Sequence, residues 1–422
     1  MKKVDFLIIG GGISALSIVR NLNNSSYLIV EKDDSLGGLC RTHYKKDYVW
    51  DYAGHFFHFN NAELKAFFEE RIDEADMVKC VKNTKIYYKG KYVDFPFQKN
   101  IHQLPKEEFI DCLYDLYFKP EDTNYSDFEG MLYSKFGKSI TEKFLKPYNE
   151  KLYACSLKTL DVNAMGRFFP FANFEDVMKN MRNPDSTSYN STFDYPLKGA
   201  QFFINILAEG VDFSKVLLNT KVTRIEVASH SALLSNGEKI QYKHLVNTIP
   251  FNQFVKLCGI EDSEHLLSYN QVLVFNIGFD KALEVKDIHW IYYPEINYLF
   301  YRVGFYNNIL SKEKGSIYVE IGFDDKTVIT DSVINDCYSK TLDGLKECRI
   351  VTDQLVVDFE TLIINPGYVH ITEKGDRWVK ATMDKLSEND IYSIGRYGAW
   401  TYCSMEDCML QAKQLINKIG EK

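Results

Sequence analysis

The stretch Ile8-Ile9-Gly10-Gly11-Gly12-Ile13-Ser14-Ala15 decides the fold class of this chain. Residues 4–9 are mostly apolar over the length of a strand, and apolar residues recur at helical spacing after Ile13. Between them lies Gly-x-Gly-x-x-Ala, in which Gly10 allows a tight turn and Gly12 lets backbone approach a pyrophosphate. The start of the helix adds free N–H groups and a partial positive charge. The pattern therefore predicts a dinucleotide site.

A second strand and an acidic residue follow in register. Residues 27–30 form an apolar run, and Glu31 ends it about 20 residues after the glycines, where a carboxylate can bind a ribose hydroxyl. A glycine turn without a ligand is the alternative, but strand, glycines, helix, strand and acid occur together here. The predicted cofactor contacts of this unit are Gly10, Gly12, Ile13, Ser14, Glu31 and Lys32.

The segment Leu36-Gly37-Gly38-Leu39-Cys40-Arg41 indicates which dinucleotide binds. In many FAD enzymes a Gly-Gly pair followed by an arginine extends the cofactor site, and this segment resembles them. We therefore expect Gly38, Leu39 and Arg41 to contact FAD. The alternative is a glycine turn beside a solvated Arg41.

The composition favours one cytoplasmic enzyme. A chain of 422 residues is long enough for two or three subdomains around one large cofactor. The net charge is -8 with both signs mixed, so nucleic acid is not an expected partner. No apolar stretch reaches about 18 residues, so stable membrane insertion is not expected. The first residues read as a strand rather than a signal peptide. A homo-oligomer is left open.

The spacing of the cysteines defines no disulfide framework. Nine are scattered along the chain without a CxxC pair. Cys403 and Cys408 lie close in sequence, but two thiols alone indicate neither a metal site nor a disulfide.

The predicted fold class is α/β, with a Rossmann-like FAD-binding domain, a helical insertion and an antiparallel β-sheet domain. Helical spacing dominates residues 100–185, which we assign to the insertion. Strand-like segments in 83–99 and 253–371 predict a sheet domain that holds the substrate. The remaining segments, 1–82, 200–252 and 372–422, are assigned to the FAD-binding domain, which is therefore discontinuous.

Further motifs resemble those of the UDP-galactopyranose mutases, a branch of the amine-oxidase-like FAD superfamily. They are DYAGHFFH at 51–58, KYVDFPFQKN at 91–100, PYNEKLY at 147–153 and GRYG at 395–398. The resemblance covers most of the chain. It implies that the loop of Gly54 and His55 lies against the flavin, and that Val222, Gly395 and Arg396 complete the FAD site.

The same resemblance implies a substrate site. Arg167 and Arg302 are expected to grip a dianionic diphosphate, because planar guanidinium groups bind it in bidentate fashion. Together with His55 they are the predicted catalytic residues. The other predicted substrate contacts are Phe95, Phe97, Gln98, Asn149 and Tyr153 for the uridine, and Tyr292, Tyr368 and Tyr402 for the diphosphate. Tyr153 stands where the family usually has Trp.

The implied activity is a flavin-dependent mutase that interconverts the pyranose and furanose forms of a nucleotide sugar, of the UDP-galactopyranose/UDP-galactofuranose type. In the resembled family, reduced FAD forms a sugar adduct through its N5 atom. FAD is thus the expected cofactor, active when reduced, with NAD(P)H as a candidate reductant. The alternatives are an FAD-dependent oxidoreductase of the amine oxidase or desaturase type, and a flavoprotein without turnover.

Overall fold

The computed structural model describes residues 2–119, 125–183 and 191–420. Its strands, in chain order, are β1 Lys2–Ile9, β2 Tyr27–Val30, β3 Thr42–Tyr44, β4 Val49–Asp51, β5 Met77–Val81, β6 Thr84–Tyr88, β7 Lys91–Asp94, β8 Thr192–Pro196, β9 Val216–Leu217, β10 Val222–Glu226, β11 Ser231–Leu234, β12 Lys239–Asn247, β13 Asn270–Phe279, β14 Trp290–Tyr292, β15 Arg302–Phe305, β16 Ser316–Asp324, β17 Val356–Ile364 and β18 Ile391–Ser393.

The α-helices are α1 Ile13–Asn21, α2 Ala62–Glu69, α3 Lys106–Phe118, α4 Phe128–Ile140, α5 Lys146–Tyr153, α6 Phe174–Arg182, α7 Gln201–Ala208, α8 Phe251–Leu257, α9 Tyr306–Ile309, α10 Asp331–Glu347, α11 Glu373–Ser387, α12 Gly395–Gly398 and α13 Met405–Ile419. Within the described ranges, no helix is both long and apolar enough to cross a membrane.

The first sheet is built around β1. Its strand order is β10-β11-β12-β1-β2-β9, with β18 also paired to β12. The pairings of β1 with β2 and β12, and of β12 with β18, are parallel. The inner half of β1 is an unbroken buried apolar run, as expected for a strand covered on both faces. The carboxyl ends of β1, β2, β12 and β18 therefore lie at one edge of the sheet, where ligands bind in such folds.

The second sheet has the order β17-β13-β16-β15-β14-β6-β7 and is antiparallel except between β14 and β6. Every residue of its second strand, β13, is buried. Leu273 and Phe275 pack in the same core as Leu345 of α10, whereas Val272 and Val274 face the core of the helical region. Because successive side chains of a strand point to opposite faces, β13 contributes side chains to both cores and lies between them.

The region predicted as a helical insertion contains α3, α4, α5 and α6. A π-helical turn, Thr141–Leu145, joins α4 to α5, so the chain continues as helix between them. The mixed α/β class with helices and two large sheets is confirmed. The predicted domain limits remain a prediction.

Candidate functional site

A cavity of about 1190 Å³ lies at the carboxyl edge of the first sheet and reaches the second sheet. The loops after β1, β2, β12 and β18 form one wall, and residues of α5, β14 and β15 form another. Pockets for drug-sized ligands usually measure about 300–1,000 Å³. The cavity therefore has room for a large cofactor together with a substrate.

The glycine loop after β1 forms an open cradle. Gly10 has φ +97°, which only glycine adopts readily, and Gly37 donates its N–H to the Gly11 carbonyl at 2.9 Å. A Cβ on Gly12 would meet nothing nearer than the Gly38 Cα at 3.9 Å. In the described part of the chain, no side chain caps the start of α1. This arrangement fits a pyrophosphate held by backbone N–H groups.

Glu31 closes the cradle from the end of β2. Its Oε2 accepts from the Gly11 N–H at 2.5 Å, and its Oε1 accepts from the Asp33 N–H at 2.9 Å. The residue lines the cavity beside Lys32. Because a carboxylate has about four acceptor positions, Glu31 can brace the loop and still bind a ribose hydroxyl.

Arg41 is held against the turn of Gly37 and Gly38. It forms an ion pair with Asp33 at 2.8 Å and donates from Nε to the Gly38 carbonyl at 2.9 Å. Only 12% of its side chain is exposed, so the alternative of a solvated Arg41 is wrong. The turn and its arginine are one rigid unit that lines the cavity together with Leu39.

The loop that carries Gly54 and His55 enters the cavity from the other side. A Cβ on Gly54 would lie 2.5 Å from the Tyr318 hydroxyl, so only glycine fits there. The His55 Nδ1 lies 3.3 Å from the Ala53 carbonyl. Burial, together with the charges of Arg396 and Arg302, lowers the pKa of His55 to about 4. The imidazole is therefore neutral near pH 7.

Arg302 and Glu320 form a buried pair across β15 and β16. The Arg302 Nη2 donates to Glu320 Oε1 at 2.6 Å, and Nε donates to Oε2. Tyr292 on β14 is the register partner of Arg302, and all three residues line the cavity. The remaining nitrogen of the guanidinium, Nη1, has no hydrogen-bond acceptor among the described residues.

Arg396 stands over two stacked tyrosines. The rings of Tyr368 and Tyr402 are 6.0 Å apart and 20° from parallel, and the Arg396 guanidinium lies 4.4 Å from the Tyr402 centroid. It lies 5.3 Å from the Tyr368 centroid, and its Nη1 donates to the Cys403 carbonyl at 3.0 Å. Its strongest electrostatic neighbours among the described residues are Tyr397, Tyr402 and Tyr368, and none of them is a carboxylate. This end of the cavity therefore carries a cation without a protein anion.

The structure brings only part of the predicted uridine site to the cavity. Phe95, Gln98 and Asn149 line it, whereas Phe97 and Tyr153 are fully buried and lie behind the wall. Sequence reasoning missed Tyr148 and Phe144, whose rings line the cavity and stack at 5.2 Å and 11°. For Tyr148 the available sequence signal was helical phase, because Tyr148 and Leu152 are four residues apart on α5 and lie on the same face of the helix.

Two further predicted residues lie off the cavity lining. Arg167 is half exposed and binds both carboxylate oxygens of Asp407, at 2.8 and 2.9 Å. Gly395 donates its N–H to Gln411 Oε1 at 2.7 Å. The remaining predicted cofactor contacts, Ile13, Ser14 and Val222, line the cavity.

Residues 22–288, more than half of the chain, match the family described as flavin containing amine oxidoreductase. The chain belongs to this family. It therefore has the fold of flavin-dependent enzymes, and the family implies a flavin cofactor.

Solved structures share the fold over nearly the whole chain. A reduced UDP-galactopyranose mutase matches with a TM-score of 0.90 and 23% identity, covering 99% of this chain and 94% of that one. A putative protoporphyrinogen oxidase from Exiguobacterium sp. 255-15 has a TM-score of 0.75 and 17% identity, covering 99% and 98%. Putrescine oxidase bound to putrescine has 0.68 and 12%, covering 100% and 99%. At such identities the likeness shows the fold alone.

Proposed function

We propose that this chain is a flavin-dependent mutase that interconverts the pyranose and furanose forms of a nucleotide sugar. The observation that carries the proposal is the pair of guanidinium groups, Arg302 and Arg396, that face one cavity around Tyr368. Both arginines lower the pKa of His55, which places all of them in one electrostatic neighbourhood. A dianionic diphosphate suits this environment, whereas a cationic amine does not.

Three tyrosines support the arginines at the diphosphate end. The hydroxyl of Tyr292 accepts from the Trp290 indole N–H at 2.9 Å, which leaves its own proton for a phosphate oxygen. Tyr368 and Tyr402 provide two further hydroxyls beneath Arg396. Hydrogen bonds to charged groups are worth about 1.5–3 kcal/mol each, so this end can hold a departing nucleoside diphosphate close to the sugar.

The nucleobase would lie between Phe95 and Tyr148. Gln98 donates its amide N–H₂ to the Pro170 carbonyl, and Asn149 donates to the Leu145 carbonyl at 2.6 Å. The two amide oxygens are buried and accept no hydrogen bond from the described residues. Side-chain rotation would have to expose these oxygens before they accept from a uracil N–H, whereas the rings of Phe95 and Tyr148 already line the cavity for stacking.

FAD fits the cradle of Gly12, Gly38 and Glu31, and when bound in its reduced form it supplies the nucleophile for covalent catalysis at the anomeric carbon. The backbone N–H groups at the start of α1 would hold the pyrophosphate, and Gly54 would let its loop pack close to the cofactor. It keeps His55 neutral, so the imidazole adds no charge beside the two arginines. Arg302 and the tyrosines bind and orient the diphosphate.

The deciding experiment uses purified holoprotein with dithionite-reduced flavin under nitrogen. UDP-galactopyranose, UDP-galactofuranose and a panel of other nucleotide sugars are added, and products are separated by chromatography. Conversion in the reduced sample alone supports the mutase and names the sugar.

The family and the fold shared with putrescine oxidase favour a second candidate, an FAD-dependent oxidoreductase. The same preparation, oxidised and supplied with amines, tests it. Oxygen consumption or net flavin reduction by an amine, without sugar conversion, would replace the mutase with this activity.

A further inference from the structure

Two thiols meet at the wall of the cavity, next to the stacked tyrosines. Cys403 directly follows Tyr402, and Cys408 lies in the first turn of α13. Their sulfur atoms are 3.7 Å apart. Both residues are buried and both line the cavity. Their pairing is not evident from the sequence, because it depends on the turn at Ser404, the N-cap of α13, which brings Cys403 back to the helix.

The surroundings favour a thiolate at Cys408. It lies near the positive end of the α13 dipole, with Arg396 and the Ser14 hydroxyl beside it. The hydrogen bond from Cys403 lowers the pKa of the Cys408 thiol, and contacts with Arg396 and Ser14 act in the same direction and together outweigh burial, which raises it. At Cys337 and Cys258 burial is the largest influence, and it raises the pKa of both thiols. A thiolate is the nucleophilic form of cysteine.

We propose that Cys403 and Cys408 are a modification site, a dithiol that peroxide converts reversibly to a disulfide. The Cys408 thiolate attacks one oxygen of hydrogen peroxide, breaks the O–O bond and becomes a sulfenic acid, releasing hydroxide. The Cys403 thiol then displaces the sulfenic hydroxyl as water and forms the S–S bond. In total, two thiols are oxidised by two electrons and one peroxide is reduced to two waters. A dithiol reductant restores the thiols by exchange.

Closing the bond would reach the substrate end of the cavity. An S–S bond of about 2.05 Å requires the sulfur atoms to approach by roughly 1.7 Å from their present separation. The Cys403 carbonyl accepts from Arg396, and Tyr402 is its chain neighbour. We therefore expect oxidation to displace the Arg396 guanidinium and the Tyr402 side chain. On the basis of the proposed function, the disulfide form should bind UDP at least tenfold more weakly, a loss of about 1.4 kcal/mol.

The first test maps the bond itself and needs no activity. Holoprotein is treated with hydrogen peroxide, its free thiols are alkylated under denaturing conditions, and the peptides are identified by mass spectrometry. The expected result is a linked peptide joining Cys403 to Cys408, absent after dithiothreitol. Cys408→Ser and Cys403→Ser should each abolish it, and Cys337→Ser, in α10 and off the cavity lining, should leave it intact. Wild-type protein that keeps nine free thiols, or that oxidises Cys408 without linking it, overturns the proposal.

The second test measures UDP binding to reduced-thiol and disulfide protein by the change in the flavin spectrum. Weaker binding by the disulfide form alone supports the coupling, and equal binding overturns it. UDP that binds neither form contradicts the proposed function, while the mapped disulfide stands independently of it.

Discussion

Arg302 shows how one buried charge can serve both the fold and the site. Glu320 neutralises it across the sheet, and this pairing is what makes burial of the cation affordable. Two of its nitrogens are used in this way, and the third can serve a ligand. Removal of the arginine would leave the Glu320 carboxylate buried without a partner and would also destabilise the fold. A substitution that tests ligand binding alone must therefore keep a cation at this position.

Arg302→Lys and Arg302→Ala should therefore differ in a defined way. The lysine retains a cation beside Glu320 but loses the planar fork, so we expect a 10- to 100-fold fall in kcat/KM for the nucleotide sugar, roughly 1.4–2.8 kcal/mol. The alanine variant should lose as much or more, and also stability. Steady-state kinetics on reduced holoprotein, with flavin content measured for each variant, give the comparison. Wild-type kcat/KM in Arg302→Lys would remove Arg302 from the diphosphate site.

Asp51, beneath the loop of Gly54 and His55, makes stability depend on pH. The carboxylate is fully buried, and it accepts from the Thr42 hydroxyl at 2.5 Å and the Tyr195 hydroxyl at 2.8 Å. Burial nevertheless raises the pKa of Asp51 to about 6 from an ordinary value of 3.8. The folded state therefore holds the proton more tightly than the unfolded state between these values. Its contribution to stability is complete below about pH 4 and is lost as the pH rises through 6.

Asp51→Asn removes this titration. Wild-type protein should lose roughly 2–3 kcal/mol of unfolding free energy from this group between pH 4 and pH 7, and the variant should not. The stability difference between the two proteins should thus shrink by that amount as the pH rises. Urea denaturation at fixed flavin concentration measures it, and a difference that stays constant across this range would contradict the raised pKa.

At the scale of elements, the unit of β1, α1 and β2 was predictable from the sequence because each of its signals is local. A glycine turn, an apolar strand and an acid at a fixed distance are read along the chain. The placement of Arg167 was not predictable in this way, since Asp407, its partner, lies 240 residues further on. Helical phase explains why Tyr153, predicted as a uridine contact, lies behind the cavity lining. It packs against Tyr368 and His370, whereas Leu152, one residue earlier on α5, faces the cavity.

Helix α5 is fixed to the second sheet by Lys151. Its Nζ lies within hydrogen-bond distance of four carbonyls of the loop between β14 and β15, and its three N–H donors are shared among them. These are the carbonyls of Tyr293, Glu295, Tyr298 and Phe300, at 2.6–3.1 Å. The helix carries Tyr148 and Asn149, and the two strands carry Tyr292 and Arg302. One lysine thus sets the distance between the proposed nucleobase and diphosphate ends.

Lys151→Met should destabilise the protein by roughly 2–3 kcal/mol, because it leaves buried carbonyls without donors. It should also raise KM for the nucleotide sugar more than it lowers kcat, since it loosens binding walls rather than the reacting centre. Lys138→Met, an exposed change on α4, is the matched control and should stay within about 0.5 kcal/mol of wild type. If the two variants unfold at the same urea concentration, Lys151 does not hold the loop.

At the scale of the whole molecule, the cavity joins the two sheets. The first sheet gives the cradle and the second gives Arg302 and Tyr292, and each sheet packs on a hydrophobic core of its own. A ligand that spans the cavity therefore contacts both halves. Such a ligand stabilises the native state by mass action, by about 2.7 kcal/mol at a hundredfold excess over its Kd.

Gly12→Val separates cofactor binding from folding. Gly12 has φ -81° and ψ -173°, which any residue adopts, and a Cβ there would meet only the Gly38 Cα, at an ordinary contact distance of 3.9 Å. The flavin-free variant should therefore lose no more than about 1 kcal/mol, mainly from the poorer start of α1. Wild-type protein should gain roughly 3 °C in Tm with excess FAD, as expected for a chain of this size, and the variant should gain nothing because the side chain occupies the pyrophosphate position. Thermal unfolding with and without FAD, together with flavin stoichiometry, gives both values. A Gly12→Val protein that purifies with stoichiometric FAD would show that the cofactor does not lie on the glycine loop, and the assignment of the whole cavity would fall with it.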